Sequence, residues 1–359
     1  MNNIYLITLT PMGKFFFGGD MTFTVNGKDT DFTSYIIRSN KFPQQTSLLG
    51  MLRFLVLRND EATFDKSLQR IIDRDKAEVL IGAKSFTASG QKGNFGIIKN
   101  ISPCFIQERV EDGKWNTLSL EPKAAQIKVD FSGPTKAILN GVEVDIPQTD
   151  YNPKESHKTS YNTKGCNLTI KESEIFVEDI SNGINRDIHT GKTENNALFK
   201  QVSYRMKEGF RFAFYAEVDL DKLMDYNGQV VSVGADNSQF VIGIKNCEQQ
   251  EEKEPRGNVV TLLSPAYLTK LDLLSVRFAI TETIPFRCMK TETKDVKSYN
   301  KRNQIYEYSE KLSLYDTGSV FYFKTGSDAL AFANKLKAHA DFYQIGYNHY
   351  QVTNLTTNK

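Results

Sequence analysis

The four cysteines of this 359-residue chain, Cys104, Cys166, Cys247 and Cys288, each stand more than 40 residues from the next. No CxxC pair exists, which argues against a zinc ribbon or a disulfide framework. The thiols read as those of a reduced, cytoplasmic protein. Long apolar runs are missing too. The longest, such as FRFAF at 210–214, fall far short of the roughly 18–20 residues a membrane span needs, so no membrane is expected among its partners. The opening MNNIYLITLTPMGKFFF lacks a basic region and a small-residue cleavage site, and no signal peptide is read there. An excess of one charge is also absent. Lys and Arg number 45 against 43 Asp and Glu, a net +2 that excludes a histone-like polycation. An anionic partner must then be held by a local patch. Neither GxxxxGK[ST], GxSxG nor HExxH occurs, and the glycines of GADNSQFVIG (234–243) fit no dinucleotide fingerprint. The four histidines are scattered. Catalytic constellations are therefore mostly missing, and no metal site or cofactor is read.

What is present is a globular balance, 40% hydrophobic and 25% charged, in a length that suits about two domains. Residues 4–10 alternate as a strand, with Ile4, Leu6 and Thr8 on one face and Tyr5, Ile7 and Leu9 on the other. Both faces are expected to be covered. An aromatic run, Phe15-Phe16-Phe17, is closed by Gly18-Gly19, and Asn26-Gly27 suggests a small hairpin. PQQTSLLGMLRFLVLR (43–58) predicts a helix capped by Thr46 or Ser47, with Leu48, Met51, Leu52, Leu55 and Val56 at helical spacing. Gly50 in mid-helix hints at a close backbone approach. A second amphipathic helix is read over 65–75, then strands and turns through VLIGAKSF, FGIIKNISPCFI and a hairpin in ERVEDGKWNTLSL. Residues 133–173 turn polar and predict long loops or an insertion, while 210–218 alternate as a strand. CEQQEEKEPRGN (247–258) predicts a solvent-facing loop, and KTETKDVKSYNKR (290–302) a mobile one with five basic residues. The chain closes with strand GSVFYFK, a helix from 328 and a strand-like YQIGYNHYQV. This order predicts α+β domains rather than a parallel sheet, divided as 1–220 and 221–359. A weak echo between the halves is compatible with a duplicated βαββαβ unit.

Three segments offer binding chemistry. Gln44, Gln45, Thr46 and Ser47 at a helix start, with Arg53 two turns on, suit a phosphate, although simple capping explains them as well. GINRDIHTGKT (183–193) gathers Asn185, Arg186, His189, Lys192 and Thr193 as donors to anionic oxygens. His189 could serve as a general acid or base for RNA cleavage, and a solvated hairpin tip is the plainer reading. One of the three phenylalanines, Phe16 beside Gly18, could stack on a base, the others reading as core. The basic residues of 290–302 around Tyr299 could clamp a nucleic-acid backbone or be merely solvated.

In order, these pieces resemble the CRISPR-associated RAMP proteins, most closely the subunit of the type III-B (Cmr) effector that holds the 5′ tag of the CRISPR RNA. PQQTSLLGMLR resembles that family's P-x-x-T-x-x-G-x-L-R helix, and IGAKSF (81–86) and ISPCFI (101–106) stand at two further motifs. GINRDIHTGKTENNALFKQVSYR (183–205), LLSPAYL (262–268) and TGSVFYFK (317–324) follow in the family's order. The family's glycine-rich loop is reduced to Gly234 and perhaps Gly243, Phe199 stands where a Tyr is usual, and a G-Y-G turn has become Gly346-Tyr347-Asn348. The resemblance implies two ferredoxin-like (RRM-like) βαββαβ domains with long loop insertions and a bound crRNA. It implies a non-catalytic RNA-binding subunit of an antiviral ribonucleoprotein, docking the large polymerase/cyclase-like subunit and the adjacent backbone subunit, and meeting target RNA indirectly. RNA contacts are then expected from Phe16, Gly18, Gln44, Gln45, Thr46, Ser47, Arg53, Asn185, Arg186, His189, Lys192, Thr193, Lys200, Tyr204 and Arg205. The competing expectation is a RAMP-type metal-independent endoribonuclease that processes CRISPR repeat RNA.

Overall fold

A computed structural model describes residues 3–19, 21–25, 32–82, 85–139, 141–154, 159–163, 169–186, 189–190, 193–248, 256–293 and 304–355. Its largest element is a nine-stranded antiparallel sheet. The opening strand Asn3–Pro11 lies in its interior, between Phe210–Val218 on one side and Gln239–Cys247 on the other. Beyond Phe210–Val218 follow Phe105–Arg109, Trp115–Pro122, Thr159–Thr163 and Thr169–Lys171; Ile98–Ile101 also pairs with Phe210–Val218. Gln239–Cys247 thus completes the first sheet from beyond residue 220.

Helix α1 (Gln45–Arg58) covers one face of this sheet. Leu48, Leu52, Leu55 and Val56 recur at helical spacing and are all but fully buried against Tyr5, Ile7, Phe212 and Phe214. Each large apolar side chain so placed stabilises the fold by about 1.5–3 kcal/mol relative to exposure. Gln44 is the N-cap, and no side chain caps the helix, so neither Thr46 nor Ser47 has the expected role. Gly50 faces open space, and no backbone approaches it.

The helix expected over 65–75 is absent. Asp65 accepts hydrogen bonds from the backbone N–H groups of Ser67 and Leu68, and Gln69 takes a positive φ of 49°. The chain there turns between two short strands, Phe64–Asp65 and Arg70–Ile71. Helix α2 (Arg74–Ile81) starts only after Asp73 accepts from the Lys76 N–H, and it takes in the VLI read as strand. Of the polar stretch 133–173, read as long loops or an insertion, the described residues are largely strand. Val129–Leu139 and Val142–Thr149 form a long hairpin, two further strands extend the first sheet, and the short helix α3 (Glu172–Ile175) follows.

A second sheet orders Phe176–Arg186, Thr193–Met206, Phe32–Arg38 and Met21–Val25, with a parallel pair at its centre. The turn expected at Asn26-Gly27 lies outside the described residues, and the antiparallel strands that flank it are present. A third sheet, Phe278–Ile280, Val320–Tyr322, Val259–Leu262 and Tyr350–Thr353, carries helix α4 (Gly326–Ala338). Thr325 caps that helix, and Lys335 and Lys337 in its last turn suit the helix dipole. Helix α5 (Ala340–Gln344) replaces the start of the strand read from 343. The architecture is mixed α/β and rich in strands, with one long helix on each of two sheets.

The last third of the chain is packed into the first core. Phe286, Leu314, Phe342, Ile345 and Tyr347 join the same buried cluster as α1. The Gln45 side-chain amide donates to the carbonyls of Ser102 and Gly346, each at 2.9 Å. The first turn of α1 is therefore a joint between chain segments 300 residues apart.

Candidate nucleic-acid interface

Beside the N-terminus of α1 a cleft of about 1130 Å³ opens between strands of the first sheet and segments from the last third of the chain. Arg38, Lys41 and Gln44 line one end, Phe105, Trp115 and Tyr215 one wall, and residues 280–286, 314–319 and His349 the other. A second groove of about 900 Å³ shares Lys41 and continues past Lys171 and Lys207. Lys41 is ion-paired with Glu172, and Arg38 with Glu178. Arg38 ends the strand Phe32–Arg38 of the second sheet, and its Nη1 also donates to the Tyr204 hydroxyl at 3.4 Å.

The structure distributes the expected contact residues unevenly. Of those with described side chains, Gln44, Gln45 and Tyr204 line the cleft. Gln45 is 3% exposed and both its amide donors are spent, so it is a structural tie and leaves the set of RNA contacts. Tyr204 is also buried. Thr46 and Ser47 lie in the first turn of α1 without lining the cleft. Arg53 sits over the Phe95 ring at 5.1 Å, away from the helix start, and burial pushes its pKa down to about 10. It packs, and is withdrawn from the phosphate site. Phe15, Phe16 and Phe17 are 1%, 8% and 5% exposed, so none of the triplet is a stacking platform. Their backbone explains why: Phe15 pairs with Tyr204 and Phe16 with Ala235, fixing the whole run inside. The Gly18 carbonyl accepts from the Asn40 N–H.

The remaining candidates belong to a long hairpin, Phe176–Arg186 with Thr193–Met206. Asn185 and Arg186 end its first strand and Thr193 begins its second, while Lys192 lies outside the described residues. His189 is exposed near the tip. Lys200 is half-buried, and exposed Arg205 donates to Asp179 at 2.7 Å. Gly183 has a physical reason here. An added Cβ would lie 2.1 Å from the Phe199 ring, which covers it from the facing strand and stacks on Tyr35.

Sequence reasoning passed over the aromatic wall. Residues 210–218 were read as a strand for their alternation; Phe212 and Phe214 take the core side, leaving Arg211 and Tyr215 on the other. Tyr215 lies 5.6 Å from Phe105, and the Arg211 guanidinium lies 3.9 Å over the Trp115 ring. The face of the opening strand that bears Ile4 and Leu6 is correspondingly only half-covered.

Opposite, Asp316 is held in the cleft wall. Burial, opposed by a hydrogen bond from the Thr317 N–H and reinforced by Glu282 and Glu172, pushes its pKa up to about 6. A carboxylate raised in the folded state binds its proton more tightly there than in the unfolded chain. Its contribution favours folding below about pH 4 and is lost as pH rises through about 6. Asp316→Asn should therefore stabilise the protein at pH 7.5 by about 2–3 kcal/mol and change little at pH 4. Paired thermal melts at the two pH values measure this; an equal shift at both would show that Asp316 is not the titrating group.

Comparison with solved structures gives the fold. A chain from "Cryo-EM structure of the Type III-B Cmr-beta bound to cognate target RNA" aligns with TM-score 0.50 and 14% identity, covering 97% of this chain and 96% of that one. A second chain, from the same assembly "bound to cognate target RNA and AMPPnP, state 1", aligns with TM-score 0.48 and 15% identity, covering 97% and 95%. The first likeness gives the fold alone, that of a chain in a Type III-B Cmr-beta structure. A search of curated proteins finds no match. The family model CRISPR-associated protein (Cas_Cmr3) matches residues 153–355, more than half the chain. The protein belongs to that family of Cmr-type subunits.

Proposed function

We propose that this chain is the non-catalytic subunit of a type III-B effector that holds the 5′ tag of the crRNA and docks the large polymerase/cyclase-like subunit beside the adjacent backbone subunit. The family match over 153–355 carries the reading, since it takes in both the projecting hairpin and the C-terminal wall of the cleft. The cleft exceeds the ~300–1,000 Å³ of ordinary small-molecule sites and suits a run of nucleotides. The hairpin that carries Asn185, Arg186, His189, Lys200 and Arg205 gives the backbone-hugging surface, and Arg38, Lys41, Lys171 and Lys207 give the cations. We read the first and third sheets as elaborated ferredoxin-like units, the expected division near 220 being displaced by the strand Gln239–Cys247. Target RNA then meets this subunit only through the guide.

Isolating the tagged protein from its native cell and sequencing the bound RNA tests the proposal. Short RNAs with one common 5′ end, co-purifying with several subunits, are expected; protein free of RNA would overturn it. A defined tag-ended product from repeat RNA in EDTA would instead restore the endoribonuclease reading, with His189 as its acid or base.

A further inference from the structure

We propose that the outward face of the first sheet, at Phe105, Trp115 and Tyr215, is a stacking site for unpaired bases of single-stranded RNA. This extends the RNA-holding reading above to residues outside the helix start and the hairpin.

Strand register places the three rings on one surface. Phe105 pairs with Ala213, two residues from Tyr215, and Gln107 pairs with both Arg211 and Thr117, two residues from Trp115. The opposite face of the same strands is core, where Phe212 and Phe214 are fully buried. The outward rings are each only half-covered and line the cleft. Arg211 is fixed by its Nε donating to Gln107 Oε1 at 3.0 Å while its plane lies on Trp115. Burial lowers its pKa to about 10, so the cation persists at neutral pH and is partly stripped of water.

The composition of the face favours a base over a protein side chain. Its aromatic rings are separated by Ala213, Gln107 and Thr117 rather than by the aliphatic residues of a protein docking core. Arg109, Arg211 and Lys245 stand on this face against Glu121 and Glu217, which already accept from Asn162 and Asn100. Rings for π-faces with cations nearby are what unpaired nucleotides use, because every base offers a face to stack.

Trp115 is the single tryptophan of the chain, so its fluorescence reads this surface and no other. Titrating the full-length protein with a labelled oligouridylate of roughly ten nucleotides should give saturable quenching of Trp115 together with a rise in label anisotropy. The same strand in a duplex should not quench. Phe105→Leu with Tyr215→Leu should weaken binding about tenfold, the scale of one lost base stack. Anisotropy that rises while Trp115 emission and the variant's affinity stay unchanged would overturn the stacking site and leave the RNA-holding function intact. Emission that responds to neighbouring subunits in an assembled complex, and not to RNA, would also overturn it, by making the face a protein contact. Absence of any RNA binding would remove the functional reading itself.

Discussion

Replacing Gly346 with alanine should destabilise the protein by about 4 kcal/mol. The residue takes φ +93°, and an added Cβ would lie 2.0 Å from Gln45 Nε2 and 2.5 Å from the Ser102 carbonyl oxygen. Backbone strain and collision with a buried hydrogen-bonded amide act together, and neither neighbour can retreat. Gln45 is wedged in the first turn of α1, and the Ser102 N–H and hydroxyl are tied to Tyr215. Gln45→Ala should cost less, about 2 kcal/mol, because it leaves two buried carbonyls unsatisfied without steric conflict. Thermal and denaturant melts of the two variants give the order. A Gly346→Ala protein as stable as wild type would mean that the C-terminal turn does not clamp the helix.

The second large effect tests the proposed RNA-holding role. Lys41→Gln, Lys171→Gln and Lys207→Gln together should flatten the salt dependence of guide-RNA binding by about 2 in the log–log slope, since each single-strand phosphate contact contributes roughly 0.7. At physiological salt the affinity should fall at least tenfold. The three lysines border the groove continuous with the cleft; Lys171 and Lys207 are exposed, and loss of the Lys41–Glu172 ion pair should cost about 1 kcal/mol or less, so the fold should persist. Affinity measured across a salt series reads the slope directly. A parallel displacement with unchanged slope would mean that these lysines contact no phosphate.

Helix α1 was legible because its leucines meet one continuous core, whereas its cap was not. Polar residues stood at every position from 44 to 47, and the fold gives Gln44 the capping conformation and Gln45 a tie to Gly346 that no local pattern announces. The misplaced helix at 65–75 shows the opposite failure. Leu68, Ile71 and Ile72 follow helical spacing, yet all three are well exposed, because the side chain of Asp65 closes a turn before a helix can begin. Polar composition over 133–173 concealed a hairpin whose strands satisfy each other's backbone and require little core. The phenylalanine triplet misled for a related reason: pairing with Tyr204 and Ala235 comes from segments about 190 and 220 residues away. The aromatic wall is likewise assembled from three strands, and only its alternation at 210–218 is visible locally.

The position of the opening strand bears on how the protein is made. Asn3–Pro11 is synthesised about 200 residues ahead of its two neighbours, Phe210–Val218 and Gln239–Cys247. At roughly 5–20 residues per second, synthesis leaves it without a partner for on the order of 10–50 s. During that time a segment as apolar as IYLITL shows two open edges to its surroundings, a standing invitation to pair with another chain. Overproduction alone should therefore yield aggregates, and slower synthesis or a nascent-chain chaperone should restore soluble protein.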